Sequence, residues 1–244
     1  MDERTVQELL RREAEGAGAD FFGVADLAPA HAAILEQGGP VVASFPRAVS
    51  VGVALPHAVV DQLPNRAERA VSMLYRQHAY DIVNLRLDHL ASRLSALLQR
   101  NGYRALPMPA SQTADTTRLR GIFSNKLAGS LAGLGWIGRS CLLVTPQAGP
   151  RVRWASVLTT APLEPTGRPI QPGCGDCREC VDACPVSAFT GRLFSPEEPR
   201  ELRFDVHKCK AYLDSMEKTR GLSVCGMCLY ACPRGKDASA RLGQ

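Results

Sequence analysis

Cys174, Cys177, Cys180 and Cys184 run as C-x2-C-x2-C-x3-C and are followed at once by Pro185, while Cys225, Cys228 and Cys232 close on Pro233 in the same C-x3-C-P step. Spacing this short lets one tight loop bring three thiolates round a face of an iron–sulfur cube, and the cysteine before proline turns away to the other cube of a pair. By that logic the first cluster takes Cys174, Cys177, Cys180 and Cys232. The second takes Cys184, Cys225 and Cys228, and Cys209 completes it from upstream. Eight thiolates then serve two 4Fe-4S clusters. A pair of zinc ribbons is the competing reading, since C-x2-C pairs also build tetrahedral zinc sites. A zinc ribbon does not need C-x3-C-P, which occurs here twice. Cys141 stands apart from the eight, in an apolar stretch, and reads as a small core residue.

What the thiols do depends on the redox setting. The opening MDERTVQELLRREAEG is a charged helix rather than a secretory leader, and no apolar run approaches the ~20 residues needed to cross a bilayer. A cytoplasmic location is expected, where thiols stay reduced and serve as ligands. A chain of 244 residues, 45% hydrophobic and 22% charged, suits one large or two modest packed domains. Its net charge of +5 is too mild to predict nucleic-acid binding. The charge is unevenly placed, however. Arg104, Arg118, Arg120, Lys126, Arg139, Arg151 and Arg153 share the stretch 101–163 with a single carboxylate, Asp115, and that stretch is expected to attract an anion.

Periodicity gives a helix over 3–15 that ends at Gly16 and Gly18, then strands at FFGVADL and at VSVGVAL, residues 49–55. Apolar residues recur at helical spacing from Glu68 to Arg100, with Asn101-Gly102 as the stop. A further helix begins near Ser124. SCLLVT (140–145) and VRWASVLT (152–159) flank a Pro/Gly turn and read as paired strands. Helices and strands mix without a regular alternation, which argues for an α+β domain. The proline-rich stretch 161–173 reads as a linker or covering loop.

LAGLGWIGRSCLLVTPQAGPRVRWASVLTTAPL, GCGDCRECVDACPVSAF, HKCKAYLDS and CGMCLYACP together resemble the cobalamin-dependent epoxyqueuosine reductases, relatives of the reductive dehalogenases. The resemblance is strong over 124–234, includes the isolated Cys209, and thins over 1–120. It implies an α+β fold: a cobalamin-binding, nitroreductase-like domain over 1–165, then a bacterial ferredoxin-like double-cluster module over 166–244. It also implies a cobalamin whose nucleotide tail is detached from cobalt, held between the GLGWIGR segment and the cluster module. Cofactor contacts are then expected at Ser124, Lys126, Gly133, Gly135, Trp136, Gly138, Arg139, Ser140, Leu143 and Trp154. The glycines let backbone pass close to a large ligand. Lys126, Arg139 and Ser140 are expected to donate to phosphate or amide groups, and Trp154 to pack on apolar parts. A glycine-rich helix end packed on a sheet is the competing reading of this segment.

Two departures bear on function. The family carries a general-acid Asp upstream of GLGWIG. Counting back without a gap places Leu119 there, and the nearest carboxylate is Asp115, in ADTTRLRG. Many members also continue past the module with helical repeats that grip transfer RNA, whereas RGKDASARLGQ follows Pro233 here, so a tRNA substrate is not carried over. The expected function is a reductase in which the clusters relay electrons to the corrinoid, acting on a small molecule or a modified nucleoside. An electron donor such as a ferredoxin or flavodoxin would supply it. Asp115 and Tyr75 are the candidate proton donors, with His78 and Tyr80 behind them. Each has a plainer reading, a turn or cap for Asp115 and core packing for Tyr75. The alternatives are a non-enzymatic electron carrier and a protein that reduces or delivers the corrinoid.

Overall fold

The computed structural model describes residues 3–242, so the outermost residues of the expected 1–165 and 166–244 domains lie outside it. In chain order the elements are α1 (Glu3–Gly16), β1 (Phe21–Asp26), α2 (His31–Ala43), β2 (Arg47–Ala54), α3 (His57–Asp61), α4 (Arg69–Arg76), α5 (Val83–Arg100), β3 (Ala105–Met108), α6 (Asn125–Leu131), β4 (Trp136–Ile137), β5 (Leu143–Val144), β6 (Val152–Thr159), α7 (Glu179–Asp182), α8 (Val206–Arg220), α9 (Met227–Tyr230) and α10 (Pro233–Ala240). Among the described residues no helix is long and apolar enough to cross a membrane.

The mixed α+β expectation holds, but a single cut at residue 165 does not describe the packing. One compact unit gathers Met1–Val53, Val83–Gly135 and Arg153–Ile170, and the other gathers Ala54–Ile82, Trp136–Val152 and Gln171–Gln244. The stretches 54–82 and 136–152 pack with the cysteine-rich C-terminal part because they make their contacts there.

The first unit is built on a four-stranded sheet of order β1-β2-β6-β3. β1 pairs antiparallel with β2 from Phe21 opposite Gly52 to Asp26 opposite Arg47, and β3 pairs antiparallel with β6. The inner residues of β1 and β2 are all buried, as they are in a sheet covered on both faces. α1 turns Val6, Leu10 and Ala14, spaced by four, toward α5. α5 answers with Leu87, Leu90, Leu94 and Leu98, the i, i+3, i+7 stripe of an amphipathic helix. A second part of the core gathers Leu27, Ile34, Val42, Phe45, Met108, Phe123 and Leu158. The stretch after β6 covers β1: Thr166 Oγ1 accepts from Val24 N at 2.9 Å, and Thr166 N donates to Val24 O at 3.0 Å.

Two sequence expectations change. The helix read over Glu68–Arg100 is α4 and α5 joined by a π-helical turn at Gln77–Ile82, a local widening that apolar spacing does not register. SCLLVT does not pair with VRWASVLT. Only Leu143–Val144 is strand, and it pairs with Trp136–Ile137 in a separate two-stranded ribbon. The expected Pro/Gly turn does form, with Thr145 and Gly149 bridged, but it returns the chain to a different sheet. Cys141 is buried as expected, within the turn between β4 and β5 at φ 55° rather than in a strand.

Candidate metal centre

All nine cysteines are thiols, and eight of them fall into two neighbourhoods of the second unit. Cys180 lies within electrostatic reach of Cys232, Cys174 and Cys177, and Cys232 within reach of Cys174 and Cys177. Cys209 neighbours Cys225 and Cys184. Cys228 neighbours Cys225, Cys209 and Cys184, and also Cys180, so the two groups adjoin. Burial, reinforced by the other thiols, pushes Cys180 and Cys209 up to about 11. Burial likewise raises Cys225, Cys228 and Cys232. Thiols crowded together fit a site whose charge balance is completed by a bound metal, which deprotonates its ligands on entry. Among the described residues no three His, Cys, Asp or Glu side chains close on one point as a single ion requires.

Local structure explains the placement. Asp205 caps α8 by accepting from His207 N and Lys208 N, which fixes the first turn carrying Cys209. Gly226, at φ 68°, starts α9 directly after Cys225 and brings Cys228 round within one turn. Cys232 precedes Pro233, the first residue of α10, and its carbonyl accepts from Gly235 N at 3.0 Å. Cys184 accepts from Ala188 N at 3.3 Å.

Several residues expected to touch a corrinoid serve these loops instead. Trp136 Nε1 donates to Cys174 Sγ at 3.4 Å, and the Ser140 hydroxyl lies near Cys180. Arg139 donates to Gly191 O and, at 2.5 Å, to Gly175 O, clamping the first motif. A Cβ on Gly138 would stand 3.4 Å from Cys174 Sγ, so the close approach there is to a cysteine. At Gly133 the close neighbour is the chain's own backbone at Gly167 and Arg168. Gly135 and Leu143 are buried, and the Ser124 hydroxyl caps α6 by accepting from Leu127 N. Trp154, 6% exposed in β6, stacks near Phe21 and keeps a buried indole N–H with no protein partner.

The basic stretch is also largely engaged. Arg118 and Arg120 both bind Glu36, which the Arg120 hydrogen bond, against the opposing effect of burial, holds at about 2. Arg104 stacks over Phe45, and Arg153 donates to Asn84 at 3.0 Å. Arg151 is fully buried, with Asp61 at 2.7 Å and His57 Nδ1 at 3.0 Å, and Ser239 donates to Asp61 at 2.5 Å. Burial and the Arg151 charge lower the His57 pKa. Such anion attraction as the spacing suggests is met by Glu36 and Asp61.

The two candidate proton donors sit in different settings. Asp115 accepts from Arg118 N at 2.8 Å, Thr117 N at 3.0 Å and Arg120 Nε at 3.3 Å. The Arg118 backbone bond leads in pulling its pKa down, whereas a neutral acid near pH 7 needs it raised. Asp115 is a turn anchor. Tyr75 is 3% exposed and its hydroxyl lies 3.4 Å from where a Cβ on Gly226 would stand, so it packs on the second cysteine motif.

Sequence spacing missed Arg66, since a lone arginine in a mixed segment carries no periodic or motif signal, and it placed Arg151 in the basic stretch without its buried pairing to Asp61.

Residues 173–235 match the 4Fe-4S double cluster binding domain family. They are a double-cluster iron–sulfur domain. Among curated proteins, the chain is 34% identical over 125 residues to epoxyqueuosine reductase of Bacillus subtilis (strain 168), covering 48% of this chain and 31% of the relative. It is 26% identical over 211 residues to that of Pseudomonas aeruginosa, covering 80% and 50%. The chain thus spans about a third to a half of the curated relatives it matches. Among solved structures, a catabolic reductive dehalogenase aligns with a TM-score of 0.67 at 23% identity, over 93% of this chain and 31% of that one. An epoxyqueuosine reductase aligns with a TM-score of 0.61 at 22% identity, over 96% and 67%. This chain has their fold.

Proposed function

We propose that the chain is a cobalamin-dependent iron–sulfur reductase in which two 4Fe-4S clusters pass single electrons to a corrinoid, for the reduction of a small molecule or a modified nucleoside. The observation that carries the reading is the sorting of eight thiols, seven half-buried and Cys177 exposed, into two adjoining sets of four. Cys174, Cys177, Cys180 and Cys232 would ligate the first cluster, and Cys184, Cys209, Cys225 and Cys228 the second. Likeness to the fold of a dehalogenase described as B12-dependent, and to epoxyqueuosine reductases, supports the corrinoid. One of those reductases was solved with an epoxyqueuosine-modified tRNA stem loop, which favours a nucleoside as one substrate class to try.

The unsatisfied indole N–H of Trp154 fits a ligand rich in amide carbonyls. Bound cobalamin would supply metal-centred electron transfer to the substrate. The chain's own part is to bury the thiolates, hold their loops with Trp136, Arg139 and Ser140, and keep water from the relay.

The test is anaerobic reconstitution with iron, sulfide and hydroxocobalamin. About eight irons per chain are expected from two four-iron cubes. Cobalt should co-elute on gel filtration, with an EPR signal that lacks nitrogen superhyperfine splitting. Cys209→Ser should lose one cluster and Cys141→Ser none. Eight irons with cobalamin eluting free would establish the second reading, an electron carrier, which the engagement of Arg118, Arg120 and Arg139 by protein groups favours.

A further inference from the structure

The second cysteine motif has a partner that belongs to neither motif. Leu63, Arg66 and Tyr75 lie far upstream of the cysteines, yet a Cβ on Gly226 would meet Leu63 Cδ1 at 2.7 Å and the Tyr75 hydroxyl at 3.4 Å. Arg66 sits between these two residues. Its guanidinium reaches Leu63 O at 3.4 Å and the Tyr212 hydroxyl at 3.5 Å, and Ser72 Oγ donates to the Arg66 carbonyl at 2.6 Å. Tyr212 is three residues past Cys209 on α8, hence on the same helix face. The guanidinium lies within electrostatic reach of the Cys225 thiol, and its Nε is buried with no hydrogen-bond partner. A cation fixed from several sides with one buried donor still open is arranged to meet an acceptor of negative charge. Thiolate and sulfide of a loaded cluster are such acceptors.

The donors to the other thiols differ in kind. Cys174 receives the Trp136 indole and Cys184 the Ala188 N–H, while the Ser140 hydroxyl lies near Cys180 and the Arg234 and Gly235 N–H groups near Cys232. All are neutral. Arg139 brings charge near the first motif and gives Nη1 and Nη2 to the Gly191 and Gly175 carbonyls, which fix its fork on backbone, while its Nε is buried without a hydrogen-bond partner.

We infer that Arg66 tunes the second cluster: its guanidinium charge, held beside the second motif with a buried N–H open to sulfur, raises that cluster's reduction potential and draws the shared electron toward it. Hydrogen bonds to ligand sulfur and nearby positive charge both stabilise the reduced, more negative cube. In the transfer one electron leaves the first cube, which is oxidised by one unit, and enters the second, which is reduced by one, with no proton or bond exchanged. The inference rests on the ligand sets proposed above.

The test uses the reconstituted full chain in an EPR-monitored redox titration with dithionite. The wave that disappears in Cys209→Ser identifies the second cluster. Arg66→Gln should keep eight irons and shift that wave down, by about tenfold in the one-electron equilibrium or ~59 mV, while the first cluster's wave stays put. Arg66→Lys, which keeps the charge but not the planar fork, should fall between the two. If Arg66→Gln fails to assemble, Arg66→Lys alone decides, and a wild-type potential in it refutes the inference. An unmoved second wave in Arg66→Gln, or equal movement of both waves, also overturns it. Wild-type protein without two waves, or Cys209→Ser that removes neither, refutes the ligand sets themselves, and the inference falls with them.

Discussion

Arg151 has no solvent exposure, yet it carries a full charge against Asp61, whose side chain is about one third exposed. Removing one partner of a buried pair strands the other, so Arg151→Ala should cost about 3 kcal/mol or more, read as a lower urea midpoint of the reconstituted protein. A loss well under 1 kcal/mol would mean that Asp61 hydrates freely once the arginine is gone. Glu36 is a contrasting case because its pairs are half exposed. Its folded pKa of about 2 lies below the ordinary 4.5, so its contribution is complete above about pH 4.5 and is lost as pH falls toward 2. Glu36→Gln should therefore lower stability at pH 6 by less than about 1 kcal/mol and match wild type near pH 2. A difference that persists at pH 2 would point to packing rather than charge.

Among the elements, α9 shows how tightly the second motif is drawn. Gly226 combines a left-handed backbone with the Leu63 side chain where a Cβ would go. Gly226→Ala should cost about 1–2 kcal/mol from the backbone alone. It should also lower iron retention at the second cluster, which iron analysis after gel filtration would report. Full retention of eight irons would show that Leu63 yields. The motif itself was legible in the sequence because Cys225, Cys228 and Cys232 stand at the fixed C-x2-C-x3-C-P spacing. α1, β1 and the α5 stripe were legible because burial imposes a period. The partner of β5 was not, since alternation marks a strand without saying which strand it joins, and Leu143–Val144 found Trp136–Ile137. Nor was the use of Trp136, Arg139 and Ser140: glycine-rich backbone beside polar side chains looks the same whether it faces a corrin or a cysteine loop. Arg66 and Arg151 act through contacts with residues far away in sequence, which no local pattern encodes.

At the scale of the whole chain, the two units differ in what stabilises them. The first has a sheet covered on both faces and an apolar core, whereas residues 171–205 of the second contain one four-residue helix, α7, and little other regular structure before α8. Removing iron with an anaerobic chelator should therefore expose 171–205 and the loop before α9 to limited proteolysis first, while peptides from 83–135 stay protected. Cleavage at equal rates in both regions would refute this. The interleaving of 54–82 and 136–152 with the C-terminal stretch has a further consequence, for the order of synthesis. Leu63, Arg66 and Tyr75 leave the ribosome long before Cys225 and Cys228 exist, and the last ligand of the first set, Cys232, emerges after every other cysteine. With the ligand sets proposed above, a nascent chain completes the second set at Cys228 and the first only at Cys232, so filling of the first cluster waits on a chain translated past every other cysteine.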